Sequence, residues 1–390
     1  MGSKTLLSVE LIGEIRNKVN EILKSQGFSL IDGKLSSLSD NKDFIRKQHS
    51  FAVKYILDAN IGFIKKVDNQ FTSKYIIDGK ELDLASIDPE LVSVSNDEQG
   101  NLFKWIKLHW SIPISAGYGR RLRYIVYDRG NSAVIGIIGL ADPVFAIKDR
   151  DRLIGWDYET RKRNLKHVMD AFVLGAVPPY SMLLGGKLVA SLAASTKVIN
   201  DFRKKYEGRK ALISGEVFDG KLAAITTTSA LGKSSLYDRI KIPNGPQYIH
   251  AGWSSGSGDF HFLNGVYDQI FEFAKESASL SKNPKWGNGV RNRRAVLRAA
   301  FKQLGLPDTL LYHNVRRELF VVPLGRKSFE FLRDESLQIQ YYKLNVDEIS
   351  SYALKRWVIP RAERNKSYLN FKKEQYSLLS ISKENEEGYS

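Results

Sequence analysis

The residues able to do chemistry in this chain fall into three groups: carboxylates, a glycine-bearing turn and clustered cations. The densest acidic stretch is Lys148-Asp149-Arg150-Asp151-Arg152-Leu153-Ile154-Gly155-Trp156-Asp157. Alternating Asp and Arg can neutralise one another as a buried ionic ladder that holds a loop, or Asp149 and Asp151 can act as acids or magnesium ligands. Glu216 is a third candidate of this kind, and Asp142, Asp219, Asp238 and Asp259 supply further acids for a metal-dependent DNA-nicking enzyme. Tyr237 and His261 complete the catalytic candidates. Asp259 and His261 follow the flexible run Ser254-Ser255-Gly256-Ser257-Gly258, where a Ser or His can act or a solvated turn can simply form. The 6 histidines (His49, His109, His167, His250, His261, His313) show no His-x-x-x-His pairing, and there are 0 cysteines. The sequence therefore points to no metal centre of the zinc type, no disulfide and no thiol nucleophile.

A second group lies where an apolar strand meets a turn, in Leu174-Gly175-Ala176-Val177-Pro178-Pro179-Tyr180 followed by Leu184-Gly185-Gly186-Lys187-Leu188-Val189. A strand that stops at prolines and starts a helix through glycines exposes free amides at the positive end of the helix dipole, which suits a pyrophosphate. Val177, Gly185, Gly186 and Lys187 are the residues that would bind such a cofactor, whose identity the sequence leaves open. No Gly-x-x-x-x-Gly-Lys-Ser/Thr occurs, so an ATP-driven helicase would have to be a separate partner.

The cations form the third group. Lys and Arg number 59 against 43 Asp and Glu, a net charge of +16. Arg120, Arg121 and Arg123 follow the glycines of Gly117-Tyr118-Gly119, and arginine forks beside a close-approaching backbone fit phosphate. Arg161, Lys162, Arg163 and Lys166 make a basic helix face. From Lys282 to Lys302 there is no acid at all: Lys282, Lys285, Arg291, Arg293, Arg294 and Arg298 surround Trp286 among Asn and Gly. A one-sign run with an aromatic fits contact with a nucleic-acid backbone, as positioning residues rather than base readers. A further basic run, Lys355-Arg356-Trp357 through Arg361, Arg364 and Lys366, adds Tyr368 and Phe371 as stacking groups.

Elements of several kinds must position these groups. Residues 5–66 read as helical, with Gly27 ending the first helix and a Ser/Asp-rich turn at 35–43 before the second; residues 67–110 are a mixed connecting region. Strands are expected at Arg121–Tyr127, Ala133–Leu140, Phe172–Ala176, Ala211–Phe218 and Tyr248–Trp253, the last of these central. A helix is expected from Lys187 to Tyr206, a polar loop at Thr226–Lys233 and a short helix at Ser234–Ile240. Residues 266–375 read as a basic helical and strand region, with a flexible tail at 376–390. The fold class is therefore α/β (α+β), a mixed sheet flanked by helices. With 43% apolar and 11% aromatic residues, wholesale disorder is excluded. No apolar run is of signal-peptide or membrane-spanning length, so a cytoplasmic protein with no membrane partner is expected.

Two resemblances sharpen this. The strand, glycine turn and helix at 172–189, followed by the expected strand at 211–218 and by Ser234-Ser235-Leu236-Tyr237, resemble the acyl-CoA loop region of the GCN5-related acetyltransferase (GNAT) fold. The loop of that family, Arg or Gln followed by Gly-x-Gly/Ala, is not kept at Tyr180–Gly186. Over residues 111–330, the Arg-Leu-Arg-Tyr strand (Arg121–Tyr124), the block Arg150–Trp156, Asn164-Leu165, Gly252-Trp253 with Gly256 and Gly258, and the stretch 304–324 with Gly305, Arg317, Phe320 and Pro323 resemble the DruA family of the Druantia anti-phage systems. The first resemblance implies a GNAT-like core at 111–265, and the second a role in phage defence with other defence subunits as partners, to which any helicase would belong. With the basic runs, the expected function is a nucleic-acid-binding component, DNA in the first instance. An acyltransferase-like enzyme with a CoA-type donor and a metal-dependent DNA-nicking enzyme are the alternatives.

Overall fold

A computed structural model describes residues 2–114, 119–210, 215, 217–277 and 290–380, and the side chains of these except 2–8, 276, 277 and 290–292. Helix α1 (Gly2–Ser25) ends as Gly27 turns into the left-handed region, its amide reaching the Lys24 carbonyl. The helical expectation for 5–66 fails next: a hairpin of β1 (Phe28–Ile31) and β2 (Lys34–Ser37) stands between α1 and α2 (Lys42–Ala59). Its cause is Asp32-Gly33, both at positive φ, the two-residue turn that matches the twist of antiparallel strands. Asn41 caps α2 by accepting from the Phe44 amide at 2.7 Å, and α3 (Ile61–Tyr75) follows.

The central sheet is built from β3 (Pro89–Ser93), β4 (Arg121–Asp128), β5 (Ala133–Ala141), β6 (Val168–Ala176), β7 (Ala224–Thr228), β8 (Ile249–Trp253) and β9 (Glu318–Pro323). The order is β3-β4-β5-β6-β7-β9-β8, antiparallel throughout except for the pair β6–β7. It draws on residues 89–323 and so takes strands from three of the segments that the composition separates. The apolar run of β5 is buried along its whole length because both faces are covered. On one face, Ile135, Ile138 and Leu140 pack beneath α7 (Gly185–Leu192) and α8 (Thr196–Tyr206); on the other, Val134 and Ile137 meet α3 and α4 (Asp97–Lys107).

Three expectations are corrected here. The polar loop at Thr226–Lys233 begins as strand β7: Thr226 and Thr227 are buried because their hydroxyls donate to Asp170 and to the Ala171 carbonyl, at 2.7 and 3.1 Å. The helix at 187–206 is two helices, broken at Ala193–Ser195 where the Thr196 amide bonds to the Leu344 carbonyl. The strand at Tyr248–Trp253 is an edge strand, because β9 inserts between it and β7. Of the strand expected at 211–218, residues 211–214 and 216 lie outside the described residues; Val217 makes an isolated bridge with Lys210.

Helices α5 (Lys148–Ile154) and α6 (Tyr158–Asn164) connect β5 to β6, and a 3-10 turn carries Tyr237 before β8. Helices α9 (Val266–Ser277) and α10 (Val290–Leu304) pack with α1 and α2 in a separate apolar cluster. After β9 come the short pair β10 (Gly325–Arg326) and β11 (Gln340–Tyr341), with α11 (Ser328–Arg333) between them, then α12 (Val346–Ala353), a π-helical turn and α13 (Ile359–Arg364). The segment read as starting a tail is tied down as far as residue 380. Tyr376 and Leu378 are buried, and Asp68 accepts from Ser377 Oγ, the Leu378 amide and Trp105 Nε1 at 2.6, 3.0 and 2.7 Å.

Candidate functional site

The Asp/Arg block resolves into the ladder. Arg150 is wholly buried, with Nε on Asp151 Oδ1 at 2.9 Å and Nη1 and Nη2 on the carbonyls of Val144 and Phe145 at 2.8 Å each. Arg161 Nη1 takes the other Asp151 oxygen at 2.8 Å. Asp149 accepts from the Trp253 amide at 2.8 Å and pairs with Arg152 at 3.1 Å. Carboxylates engaged in this way fix local geometry: Asp151 holds two guanidinium groups together, and Asp149 ties α5 to β8. The ladder also fixes the loop that presents Val144 and Phe145, which stay 54% and 43% exposed beside Tyr158 at 57%. Arg161 lies 4.7 Å from the Phe145 ring centroid and 5.3 Å from that of Tyr158. Lys162 and Arg163, also on α6, are exposed.

Several of the other cations form ion pairs. Arg120 is not a surface residue: its side chain is 9% exposed, pairs with Asp142 at 2.6 Å and bonds to the carbonyls of Lys166 and Val168 among Phe202, Tyr206 and Phe218. It ties the start of β4 to β6, because a buried guanidinium needs a carboxylate and carbonyls around it. Lys166 pairs with Glu335 at 3.3 Å, Arg293 with Asp259 at 2.7 Å and Arg298 with Asp308 at 3.7 Å. Arg294 donates to Ser257 and lies over Tyr312. The Arg291 side chain, Lys282, Lys285, Trp286 and Glu216 lie outside the described residues.

Arg121 and Arg123 are exposed, and the fold surrounds them with cations that the sequence places far away. Lys104 and Lys107 arrive at the C-terminus of α4, and Lys205 and Arg209 at and beyond the end of α8. Helix C-termini accommodate such charges. Burial and then Lys104, Arg121 and Arg123 depress the Lys107 amine; burial and then Arg209 and Arg123 depress that of Lys205. Lys205 Nζ also bonds to the Arg121 carbonyl at 2.8 Å, which fixes α8 against the strand. Six cations from three segments thus act on one another across one surface. The local run at 120–123 supplies Arg121 and Arg123, and none of the basic runs read from the sequence contains the other four.

The glycine turn is closed where an open one was expected. Val177, Gly185, Gly186 and Lys187 are all buried. Side chains at Gly185 or Gly186 would collide with the Tyr180 backbone or the Leu236 side chain, so the glycines serve close packing. Lys187 lies with its amine 5.4 Å from the Trp357 ring centroid, depressed by burial and by Arg239 and Arg356 against the opposing Asp238. Tyr237 is buried face to face with Tyr248, 5.2 Å between centroids, and burial pushes its hydroxyl up to about 12. His261 is buried with Nε2 donating to the Leu310 carbonyl at 2.7 Å, and burial lowers it to about 4.

One titratable residue escaped the sequence reading. Asp170 faces Thr226 at the last pair of the parallel ladder between β6 and β7, and a register shift around Phe172 follows immediately. Burial raises its carboxyl to about 6, against the opposing Thr226 hydrogen bond and the Arg150 charge. Near neutrality such a group both accepts and releases a proton. Its signal was an acid inside the apolar strand Val168-Met169-Asp170-Ala171-Phe172. Among the described residues, no three His, Asp or Glu side chains come together to hold a metal ion, and no helix is long and apolar enough to cross a membrane.

The structure thus defines a mixed α/β protein with a cationic surface at the start of β4 and an aromatic loop held by a buried ionic ladder. The profile of the family described as Druantia protein DruA matches residues 39–334. A Druantia protein DruA of Escherichia coli (strain UMEA 4076-1) is 38% identical over 360 residues, covering 91% of this chain and 89% of the relative. The chain belongs to the DruA family. No solved structure matches it.

Proposed function

We propose that this chain is the component of an anti-phage defence system that holds nucleic acid, with DNA as the first candidate. Membership of the DruA family gives it the defence role. The observation that supports the holding role is the patch of Lys104, Lys107, Arg121, Arg123, Lys205 and Arg209, where burial first and the neighbouring cations second depress Lys107 and Lys205, and a row of phosphates would relieve the second of these effects. Phe145 and Tyr158, braced by Arg161 and flanked by Lys162 and Arg163, offer faces on which bases stack. A chain without a P-loop leaves strand separation to another subunit, and the proposed setting is the cytoplasm.

The test is the salt dependence of binding to a labelled duplex. If about six phosphates are neutralised, the affinity falls about 10³-fold between 50 and 200 mM salt. Reversing Arg121 and Arg123 to Glu flattens that slope while the fold persists. A slope unchanged by the reversal overturns the assignment of the patch.

A second reading keeps the GNAT-like core. It is supported by the single parallel pair in the sheet, by α7 leaving the first strand of that pair, and by Asp170 at the last paired position with a carboxyl poised near neutrality. A thermal shift with acetyl-CoA tests it, since a ligand that binds only the folded chain raises the melting temperature by mass action. No shift refers Asp170 to fold stability alone.

A further inference from the structure

Between the β1–β2 hairpin and the β8 edge of the sheet lies a cleft of about 880 Å³, within the size range of small-ligand sites. Its position is remote from the basic patch: β8 is five strands from β4, about 24 Å at the usual strand spacing. Lys34, Lys233 and Arg316 line it, against one carboxylate, Asp40, and Ser36, Ser37 and Ser39 add hydroxyls. Trp253 supplies a large ring to the wall, with the Arg316 guanidinium 5.4 Å from its centroid.

The walls are fixed from both sides. Asn314 Nδ2 donates to the Leu35 carbonyl and Thr309 Oγ1 to that of Gly33, so the hairpin is tied to the segment carrying Arg316. On the sheet side, the Trp253 amide is held by Asp149, and Ser254 and Arg317 exchange two hydrogen bonds, at 2.8 and 3.0 Å. Gly252 has φ 141°, and a side chain there would strike the Asp149 carboxylate. Asp149 and the Gly252-Trp253 pair, which the proposed function leaves unused, thus work together to set the ring in the cleft wall.

We propose that this cleft binds a nucleobase that carries phosphate, with the base against Trp253 and the phosphate held by Lys34, Lys233 and Arg316. Three cations against one carboxylate select an anion, and the indole ring with nearby hydroxyls selects a flat, hydrogen-bonding group over a bare phosphate. The same chemistry has two sources: a free nucleotide, or one nucleotide of a strand.

Calorimetric titration of the full chain with ATP, GMP, a short oligothymidylate and inorganic pyrophosphate tests this. Binding of a mononucleotide, weakened about tenfold by Trp253→Ala and largely restored by Trp253→Phe, identifies a free nucleotide. Binding of the oligonucleotide alone, weakened by the same change and insensitive to Arg123→Glu, identifies a strand. Lys34→Glu with Lys233→Glu, both exposed, reduces either without disturbing the fold. The proposal is overturned if pyrophosphate binds as well as the nucleotides, if Trp253→Ala changes nothing, or if none of the probes binds.

Discussion

Acidification from pH 7 to pH 5 should destabilise the fold through its buried histidines. His49 and His261 are wholly buried, lowered to about 3 and about 4 by loss of hydration. The Arg317 guanidinium donates Nη2 to His49 Nε2 at 2.7 Å, and His49 Nδ1 donates to the Ile45 carbonyl at 2.7 Å, so a second ring proton would point at a cation. Depressed folded-state values mean that the unfolded chain binds more protons below its ordinary value of about 6.5. The contribution of each histidine is therefore complete above that value and is lost as the pH falls towards the folded one. Between pH 7 and pH 5 the loss is about 2 kcal/mol per histidine. Asp170 acts in the opposite sense: its raised carboxyl takes up a proton over this range in the folded chain, offsetting about 1 kcal/mol. His109, lowered to about 4 mainly by burial, loses about 2 kcal/mol as well, so the net loss is about 4–5 kcal/mol, and His313 and His167, both lowered chiefly by burial, add to it. Urea denaturation at pH 7, 6 and 5 reads this directly as a falling midpoint. A midpoint that stays level or rises towards pH 5 refutes the neutral, buried cluster.

Three further outcomes follow from the same geometry. Arg150→Ala leaves Asp151 short of one guanidinium and frees the Val144 and Phe145 carbonyls, costing about 3–5 kcal/mol in denaturant unfolding; a loss under 1 kcal/mol contradicts the ladder. Phe145→Ala with Tyr158→Ala removes exposed rings, so the melting temperature should hold while affinity for single-stranded DNA drops about tenfold or more in fluorescence anisotropy. Asp68→Ala unties Ser377 and the Leu378 and Leu379 amides, and limited proteolysis should then cut near residue 376 while leaving the sheet intact.

Much of the sheet was legible because β4 and β5 carry period and composition that only buried strands show. The hairpin at 28–37 was missed although Asp32-Gly33 announced it, because flanking helical periodicity outweighed a two-residue signal. Strand β7 was misread for a physical reason: three threonines look polar in sequence, yet partners on β6 satisfy two of the hydroxyls in the core. For the candidate site, local runs of charge were a poor guide. Arg120 sits among arginines and is interior, whereas Lys107 and Lys205 sit in unremarkable helix ends and become part of the patch only when α4 and α8 meet β4. The acids Asp149 and Asp151 were recognised as a pair with two readings, and the partners that support the ladder, Arg161 and the Trp253 amide, could not be assigned from the sequence alone.

Where the cations are placed bears on function more strongly than net charge does. A fold that needed only solubility could scatter its excess charge, and self-repulsion would then be smallest. This chain instead satisfies Arg120 and Arg150 with carboxylates and carbonyls in the interior, while placing Lys104, Arg121, Arg123 and Arg209 beside Lys107 and Lys205, whose amines are depressed by burial first and by these charges second. Repulsion of that kind opposes folding, and under the proposed function a bound polyanion is the contact that offsets it. An extended polyanion supplies that contact at every position at once, and a small monovalent anion relieves one pair at most. The same logic predicts that Lys107→Met stabilises the free chain slightly and weakens its hold on nucleic acid, two effects of opposite sign from one substitution. If both quantities fall together, Lys107 is a packing residue and the patch loses a member.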